Sequence, residues 1–377
     1  MVIGSPRESQ PHEHRVGLTP FLANRLVELG HTVLIEAGAG VAAHFSDGDY
    51  QRAGAQIVYS AEEVYRRSDI VCRVGAVAES EIPLLRPGVT ICSFHHLAVA
   101  PKERVQALMA LGATLVGYEI IRDAAGCLPA LRPMSEMAGQ LAIHVAAHHL
   151  QTERGGRGIL IGHVPGVPPP TVLVLGAGTV GHAAARQATA CGCHVIVVDH
   201  DLQKLARIHA DSEGRVVTAL AGLERLERYT SVADVVVGAI LIPGDRAPFV
   251  VTEKMVEGMK AGSVILDISI DQGGCVETSR PTTLADPTYI YQGVVHYAVP
   301  NMTASIARSA SRALATATHA YLVRLAELGL EKALAADPGL AQGIYMANGK
   351  MVNATAGSAL GIPVVGLAEA LEKGNRG

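Results

Sequence analysis

At 377 residues the chain is about two and a half times the ~150 residues that serve as a prior for one domain, so two domains are expected. With 49% hydrophobic and 18% charged residues it carries ample apolar material for two cores, which excludes an intrinsically disordered protein. A net charge of -4, no Trp and only 4 Phe leave neither a basic stripe for phosphates nor stacking platforms, which excludes nucleic acid as a partner.

The opening MVIGSPRESQ has an apolar tripeptide too short for a secretory signal, and no stretch approaches the ~20 apolar residues of a membrane span. Six cysteines without a CxxC pair suit a reducing compartment, so a cytoplasmic protein is expected. Short β-branched runs alternate with Ala- and Leu-rich helical periods, the pattern of an α/β fold with mostly parallel sheets. The first series predicts a strand at Val2–Gly4, a helix at Pro20–Leu29 and strands at Thr32–Glu36 and Ile70–Val74. It continues with strands at Val89–Ser93 and Thr114–Gly117 and a helix at Lys102–Leu111 between them. An uncharged helix opened by Pro133 and reaching Leu150 is the expected connector, followed by a Gly/Pro-rich passage and a second α/β series from Thr171. After the run Val294–Ala298 comes a helix over Thr303–Leu328, then shorter helices that pack back onto one of the two domains.

The second series contains the most informative segment, VLVLGAGTVGHAAARQATACGCHVIVVD over 172–199. An apolar strand runs into Gly176-x-Gly178-x-x-Gly181, then an Ala-rich helix, then a second strand ending at Asp199. Gly176 suits the tight turn, Gly178 admits backbone amides to a pyrophosphate, and Gly181 lets helix and strand pack closely. The helix N-terminus supplies partial positive charge, and Asp199 accepts from ribose hydroxyls and repels a 2′-phosphate, so NAD is favoured over NADP. His144 and His148 stand i, i+4 on one helical face, but HVAAH lacks the glutamate of HExxH and an obvious third ligand, so no metal is expected.

Blocks along the whole chain then carry a resemblance. They are IGSPRE and EHRVGLTP near the start, HHLA at 95–98, PMSEMAG at 133–139, ILIPG at 240–244, DISIDQGG at 267–274 and HYAVPNM at 296–302. In their order and spacing the chain resembles the alanine dehydrogenases, relatives of the nicotinamide nucleotide transhydrogenase α subunit. The resemblance implies two Rossmann-like doubly wound domains with a substrate cleft between them: 1–128 with 304–377 as the substrate domain, and 129–303 as the NAD domain. It also implies a homo-oligomer, a hexamer or dimer.

Residue by residue, the resemblance implies that Arg15 holds a substrate carboxylate and that His96 is the general acid/base, with His95 structural. A planar guanidinium suits a carboxylate, and an imidazole titrates near neutral pH. Asp271 matches the family's acid in the cofactor domain, and Asp267 is taken as a structural or cofactor-side acid. Met134 and Glu136 match cleft positions. Ser135 and Val180 join Gly176, Gly178, Gly181 and Asp199 as cofactor contacts, while Leu241, Ile270, Asn301 and Met302 fall at the nicotinamide half.

The resemblance breaks at Cys72-Arg73-Val74-Gly75, where the family has a second lysine, at position 75, that pairs with the substrate carboxylate and keto oxygen. Arg73, two residues away on one strand face, and Arg132, before Pro133, are the cations that could compensate, with Arg132 favoured. MTASIARSAS at 302–311 also departs from the family's Pro-Gly-Ala-Val-Pro-Arg-Thr-Ser pattern.

The implied function is an NAD-dependent amino-acid dehydrogenase, interconverting an L-amino acid and a 2-oxo acid or reducing a related imine, with altered substrate choice. The alternative is a catalytically weakened NAD-binding homologue acting as a sensor or subunit partner, which retention of Arg15, His96 and Asp271 speaks against. A transhydrogenase subunit is disfavoured by the expected lack of a membrane segment.

Overall fold

The β-branched runs read as strands form strands and the Ala- and Leu-rich periods form helices, in two α/β units. The computed structural model describes residues 1–242 and 247–372. One unit comprises Met1–Met134 with Ala304–Gly377, described to residue 372, and the other Ser135–Thr303. The chain opens with strands β1 (Val2–Ser5), β2 (Thr32–Glu36), β3 (Gln56–Val58), β4 (Ile70–Cys72), β5 (Thr90–Ser93) and β6 (Thr114–Gly117). The second unit holds β7 (Thr171–Leu175), β8 (His194–Asp199), β9 (Val217–Leu220), β10 (Val235–Gly238), β11 (Val264–Asp267), β12 (Thr288–Tyr291) and β13 (Val294–Tyr297). The first unit then resumes with β14 (Ile344–Ala347) and β15 (Lys350–Met351).

The first sheet has the order β15-β14-β6-β5-β4-β1-β2-β3 and the second β12-β13-β11-β10-β7-β8-β9. Neighbours are parallel except at one edge of each, where β14 runs against β6 and β15, and β12 against β13. In both sheets the chain starts at the centre, winds outward, returns and winds the other way. Switch points therefore lie between β1 and β4 and between β7 and β10, and crevices open past the carboxyl ends of those strands.

The core of the second unit shows why β7 is continuously apolar. Val172 and Val174 face one cluster, with Ala142, Ala146 and Leu150 of the helix Arg132–His149 and its C-terminal flank. Leu173 and Leu175 face another, with Leu226, Met255 and Val256. A strand buried on both faces needs no polar alternation. The expected connector is thus also a core helix, and a Cβ at its Gly139 would lie 2.2 Å from the Val180 carbonyl, so only glycine admits the crossing with the helix Thr179–Ala190.

Two expectations change. The tail is not only helical: Ile344–Ala347 is a fully buried strand that extends the first sheet, and at four residues it is too short to show a period in sequence. The strand expected over Ile70–Val74 stops at Cys72, because the N–H groups of Val74 and Gly75 leave the ladder and donate to the Glu8 carboxylate at 2.6 and 3.3 Å. The helix Ala307–Leu328 packs on the first unit, where Val16 N–H donates to Ser311 Oγ at 3.0 Å. Among the described residues no helix is long and apolar enough to cross a membrane.

Candidate functional site

The sequence candidates of the first unit gather in the segments that follow the carboxyl ends of its central strands. Past β1, Arg15 is 4% exposed, and its Nε and Nη2 donate to Glu13 Oε1 and Oε2 at 2.8 and 2.6 Å in a two-pronged pair. Its Nη1 donates to Met134 Sδ at 3.6 Å, so Arg15 and Met134 come together. Arg132 opens the helix that carries Met134 and is exposed.

Past β4 stands Arg73. It is 0% exposed, with Nη2 on Glu8 at 3.1 Å, Nη1 on Glu81 at 2.6 Å, and a further hydrogen bond to Tyr65. Because β4 has ended, strand alternation no longer places it with Gly75; its charge neutralises two buried carboxylates, and a substrate anion could reach it only by displacing one of them. Burial pushes Glu8 above the usual carboxylate range, against the pull of Arg73 and the Val74 N–H. Burial also works to raise Glu81, but Arg73 and the Ala78 N–H outweigh it and hold that carboxyl low. Above Gly75 lies the Gln10 amide: a Cβ at 75 would sit 3.4 Å from it, an ordinary contact.

Past β5 the two histidines separate. His95 is buried, and burial pushes its imidazole down to about 4, so it is neutral near pH ~7. Its Nε2 lies 3.2 Å from the Ile91 carbonyl, which can only accept, so that nitrogen carries the proton and Nδ1 accepts from Ser93 Oγ at 3.2 Å. His96 is half-buried and stacked with Phe94 at 6.2 Å. Its backbone is left-handed, with φ 47 and ψ 46, a conformation that costs a non-glycine residue about 1–3 kcal/mol and persists only where neighbours enforce it. The neighbour is Glu119, just past β6, whose Oε1 accepts from both the His95 and His96 N–H groups at 3.0 and 2.7 Å.

The second unit repeats the arrangement around its own switch point. Gly176 has φ +101, and a Cβ there would meet the Ala239 carbonyl at 2.6 Å; one at Gly181 would meet the Gly176 carbonyl at 1.8 Å. A Cβ at Gly178, the N-cap of the helix Thr179–Ala190, would meet nothing within 4 Å. Two glycines thus shape the turn, and the third leaves its face open, the surface that a pyrophosphate needs. Asp199, 8% exposed at the end of β8, accepts from the N–H groups of Ala177 and Asp201 at 2.6 and 2.8 Å. His200 Nδ1 is 3.3 Å from it.

Past β11, Asp267 is a capping acid: it accepts from the N–H groups of Ser269, Cys275 and Val276, and burial raises its pKa against those bonds. Asp271 sits in the turn Ile268–Gln272 and accepts from the Asn301 N–H at 3.0 Å, which brings the segments past β11 and β13 together. Asn301 is held left-handed at φ 53. Ile270 and Met302 are buried, Leu241 is 48% exposed, and Ser135, Glu136 and Val180 are half-buried. Pro243 and Gly244 of the ILIPG block lie outside the described residues.

Glu8, Gln10, Glu13 and Glu119 were not singled out from the sequence. Glu8 and Glu13 stand in the same segment as Arg15, and an acid two residues past a buried strand, as Glu119 is after Gly117, is the signal that could have marked it.

The alanine dehydrogenase/PNT N-terminal domain model matches residues 4–138, and the alanine dehydrogenase/PNT C-terminal domain model matches 142–354. The alanine dehydrogenase of Mycolicibacterium smegmatis is 41% identical over 371 residues, covering 98% of this chain and 100% of that protein. The Mycobacterium tuberculosis alanine dehydrogenase is 42% identical over 363 residues, covering 96% and 98%. Among solved structures, an L-alanine dehydrogenase superposes with a TM-score of 0.90 at 41% identity, covering 96% of this chain and 99% of that one. A transhydrogenase from Sinorhizobium meliloti, 24% identical, shares the fold with a TM-score of 0.81 over 93% of this chain and 100% of its own. With two domain models matched in order and relatives of this identity along nearly its full length, the chain belongs to the alanine dehydrogenase/PNT family.

Proposed function

We propose that the chain is an NAD-dependent amino-acid dehydrogenase, an oxidoreductase of CH–NH2 or CH–NH donors, whose substrate differs from or extends beyond alanine. The observation that carries the cofactor is the glycine turn, open at Gly178 and followed by the carboxylate of Asp199. Gly176, Gly178, Val180, Gly181 and Asp199 would hold the adenosine and pyrophosphate, with Ser135, Leu241, Ile270, Asn301 and Met302 toward the nicotinamide. When bound, NAD supplies the hydride acceptor of the oxidative direction.

In this reading the first unit binds the amino acid and moves its protons. Arg15, oriented by Glu13 and backed by Met134, clamps the carboxylate. His96 moves protons to and from the substrate oxygen as water adds and ammonia departs. Asp271, tied to Asn301, orients that water or ammonia. Position 75 sets the specificity: where the resemblance puts a lysine there is glycine beneath the neutral Gln10 amide, which leaves volume beside the reacting carbon for a bulkier amino acid or for a secondary amine. Arg132 is the cation that replaces the missing charge. The reading includes a cytoplasmic, self-associated chain, a hexamer or dimer by sedimentation.

The test follows NADH formation with NAD and a panel of amino acids, and NADH consumption with ammonia or a primary amine and 2-oxo acids, for wild type and Gly75→Lys. The lysine fits, since the contact at 75 is with a flexible side chain. Turnover of a bulkier substrate, with a shift toward alanine or pyruvate in Gly75→Lys, is the expected result. NAD binding without turnover across the panel would instead make the chain a weakened homologue acting as a sensor or partner.

A further inference from the structure

We propose that Glu119 is the positioning residue that holds His96 ready for proton transfer, with Tyr345 of the C-terminal segment locking it in place. The inference rests on the reading of His96 as acid/base. Glu119 is buried, and its Oε1 accepts from the N–H of His95 at 3.0 Å, the N–H of His96 at 2.7 Å and the Tyr345 hydroxyl at 3.0 Å. Its Oε2 is buried with no hydrogen-bond partner among the described residues. A buried carboxylate is expensive, and one oxygen receiving every bond while the other receives none is poor economy for stability alone.

What the lopsided arrangement does achieve is geometric. Two consecutive N–H groups aimed at one oxygen fix the peptide between His95 and His96, and with it the left-handed backbone of His96. Released, residue 96 would relax to negative φ, which swings its Cβ and carries the imidazole away from its stack on Phe94. The His95 ring needs no such help, because Ile91 and Ser93 already anchor it. The device therefore acts on the histidine whose ring remains half-exposed. Tyr345 closes it from 226 residues away: β14 pairs antiparallel with β6, which brings the phenol over the carboxylate at the end of β6. Burial raises the pKa of that phenol, so it remains a donor across the working range.

The experiment uses the full chain with Glu119→Gln, Glu119→Ala, Tyr345→Phe and His96→Ala. It reads kcat and KM with L-alanine or the fastest amino acid of the panel, and amide hydrogen exchange of the peptide spanning Phe94–Leu97. In Glu119→Ala, exchange at 95 and 96 rises at least about tenfold and kcat falls roughly ten- to a hundredfold, the loss expected for charge-assisted bonds, while KM stays within about threefold. Glu119→Gln, whose amide oxygen accepts the same N–H groups, regains protection and most of kcat; Tyr345→Phe falls between. The proposal is overturned by wild-type exchange in Glu119→Ala, by KM rising in step with the loss of kcat, or by failure of Gln to restore both readouts. If Glu119→Ala does not fold, Glu119→Gln and Tyr345→Phe decide, since exchange at 95 and 96 must still rise and kcat fall in the order wild type, Gln, then Phe. Wild-type kcat in His96→Ala refutes the acid/base reading, and the positioning role with it; a dead His96→Ala beside an unaffected Glu119→Ala refutes the positioning role alone.

Discussion

Gly178→Ala should separate cofactor binding from folding. The three glycines of the turn differ in what a methyl group would strike. At Gly181 it would overlap the Gly176 carbonyl at 1.8 Å, a backbone atom with no flexible end to yield, so Gly181→Ala should destabilise the second unit by about 1–3 kcal/mol or more. At Gly178 it meets no protein atom within 4 Å, and the backbone, at φ -73, suits any residue. Restricting the unfolded chain there should raise stability by about 0.4–1 kcal/mol. On the proposed reading the same methyl intrudes on the face where a pyrophosphate approaches the helix N-terminus, and overpacking of about 1–3 kcal/mol weakens NAD roughly five- to 150-fold. Calorimetric titration of NAD gives the affinity, and thermal unfolding gives the stability of each variant. Wild-type NAD affinity in Gly178→Ala, or a wild-type melt in Gly181→Ala, would show that the turn does not work in this way.

The remaining expectations concern the buried charges. His95 carries its ordinary pKa of 6.5 when unfolded and about 4 when folded, so the unfolded chain takes up the proton first and stability falls as pH drops from 6.5 toward 4. From these values the loss between about pH 7 and pH 5 is about 2 kcal/mol, and it should vanish from the urea-unfolding difference in His95→Gln. Arg73→Ala strands Glu8 and Glu81 in the interior and should destabilise by about 3–5 kcal/mol, whereas replacing all three by neutral residues of similar size should be milder. A single variant as stable as wild type would mean that the two acids are neutral in the fold. Asp199→Ser removes the carboxylate that repels a 2′-phosphate and an acceptor for the Ala177 N–H. It should move the NADP-to-NAD preference upward about tenfold and lower stability by about 1 kcal/mol, and an unchanged cofactor ratio would remove Asp199 from the discrimination.

What was legible in the sequence was local. The stretch 172–199 announced itself because a glycine needed for φ +101, a glycine needed for close packing and an acid at a strand end lie within one βαβ stretch. The β14 strand was not legible, since four residues of IYMA carry no period, its neighbour β15 has only two residues, and the strand that ties it into the sheet, β6, lies more than two hundred positions earlier. The setting of Arg73 was not legible for a related reason. Alternation along a strand is a sound rule only inside the strand, and where β4 stops is decided by Glu8, a residue from a different segment.

The same distinction explains why burial, rather than residue type, assigns the charged groups. Arg15 and Arg73 are both buried and both face carboxylates, but they differ in where those carboxylates come from. Arg73 meets two, from segments 65 and 8 residues away, and its charge is consumed by the fold. Arg15 pairs with the carboxylate of Glu13, two residues away, through Nε and Nη2, so a local pair fixes the plane of the guanidinium while Nη1 donates to the sulfur of Met134, a weak acceptor. A guanidinium paired with a near neighbour has its plane set within a single segment, whereas one enclosed by two distant acids is a structural rivet. Likewise the His95 ring is anchored by Ile91 and Ser93, whereas the His96 N–H is held by Glu119 and its half-buried ring stacks on Phe94. On the proposed reading of His96 as acid/base, leaving its ring to chemistry requires the chain to hold that residue by its N–H, which is what a carboxylate past the end of the neighbouring strand provides.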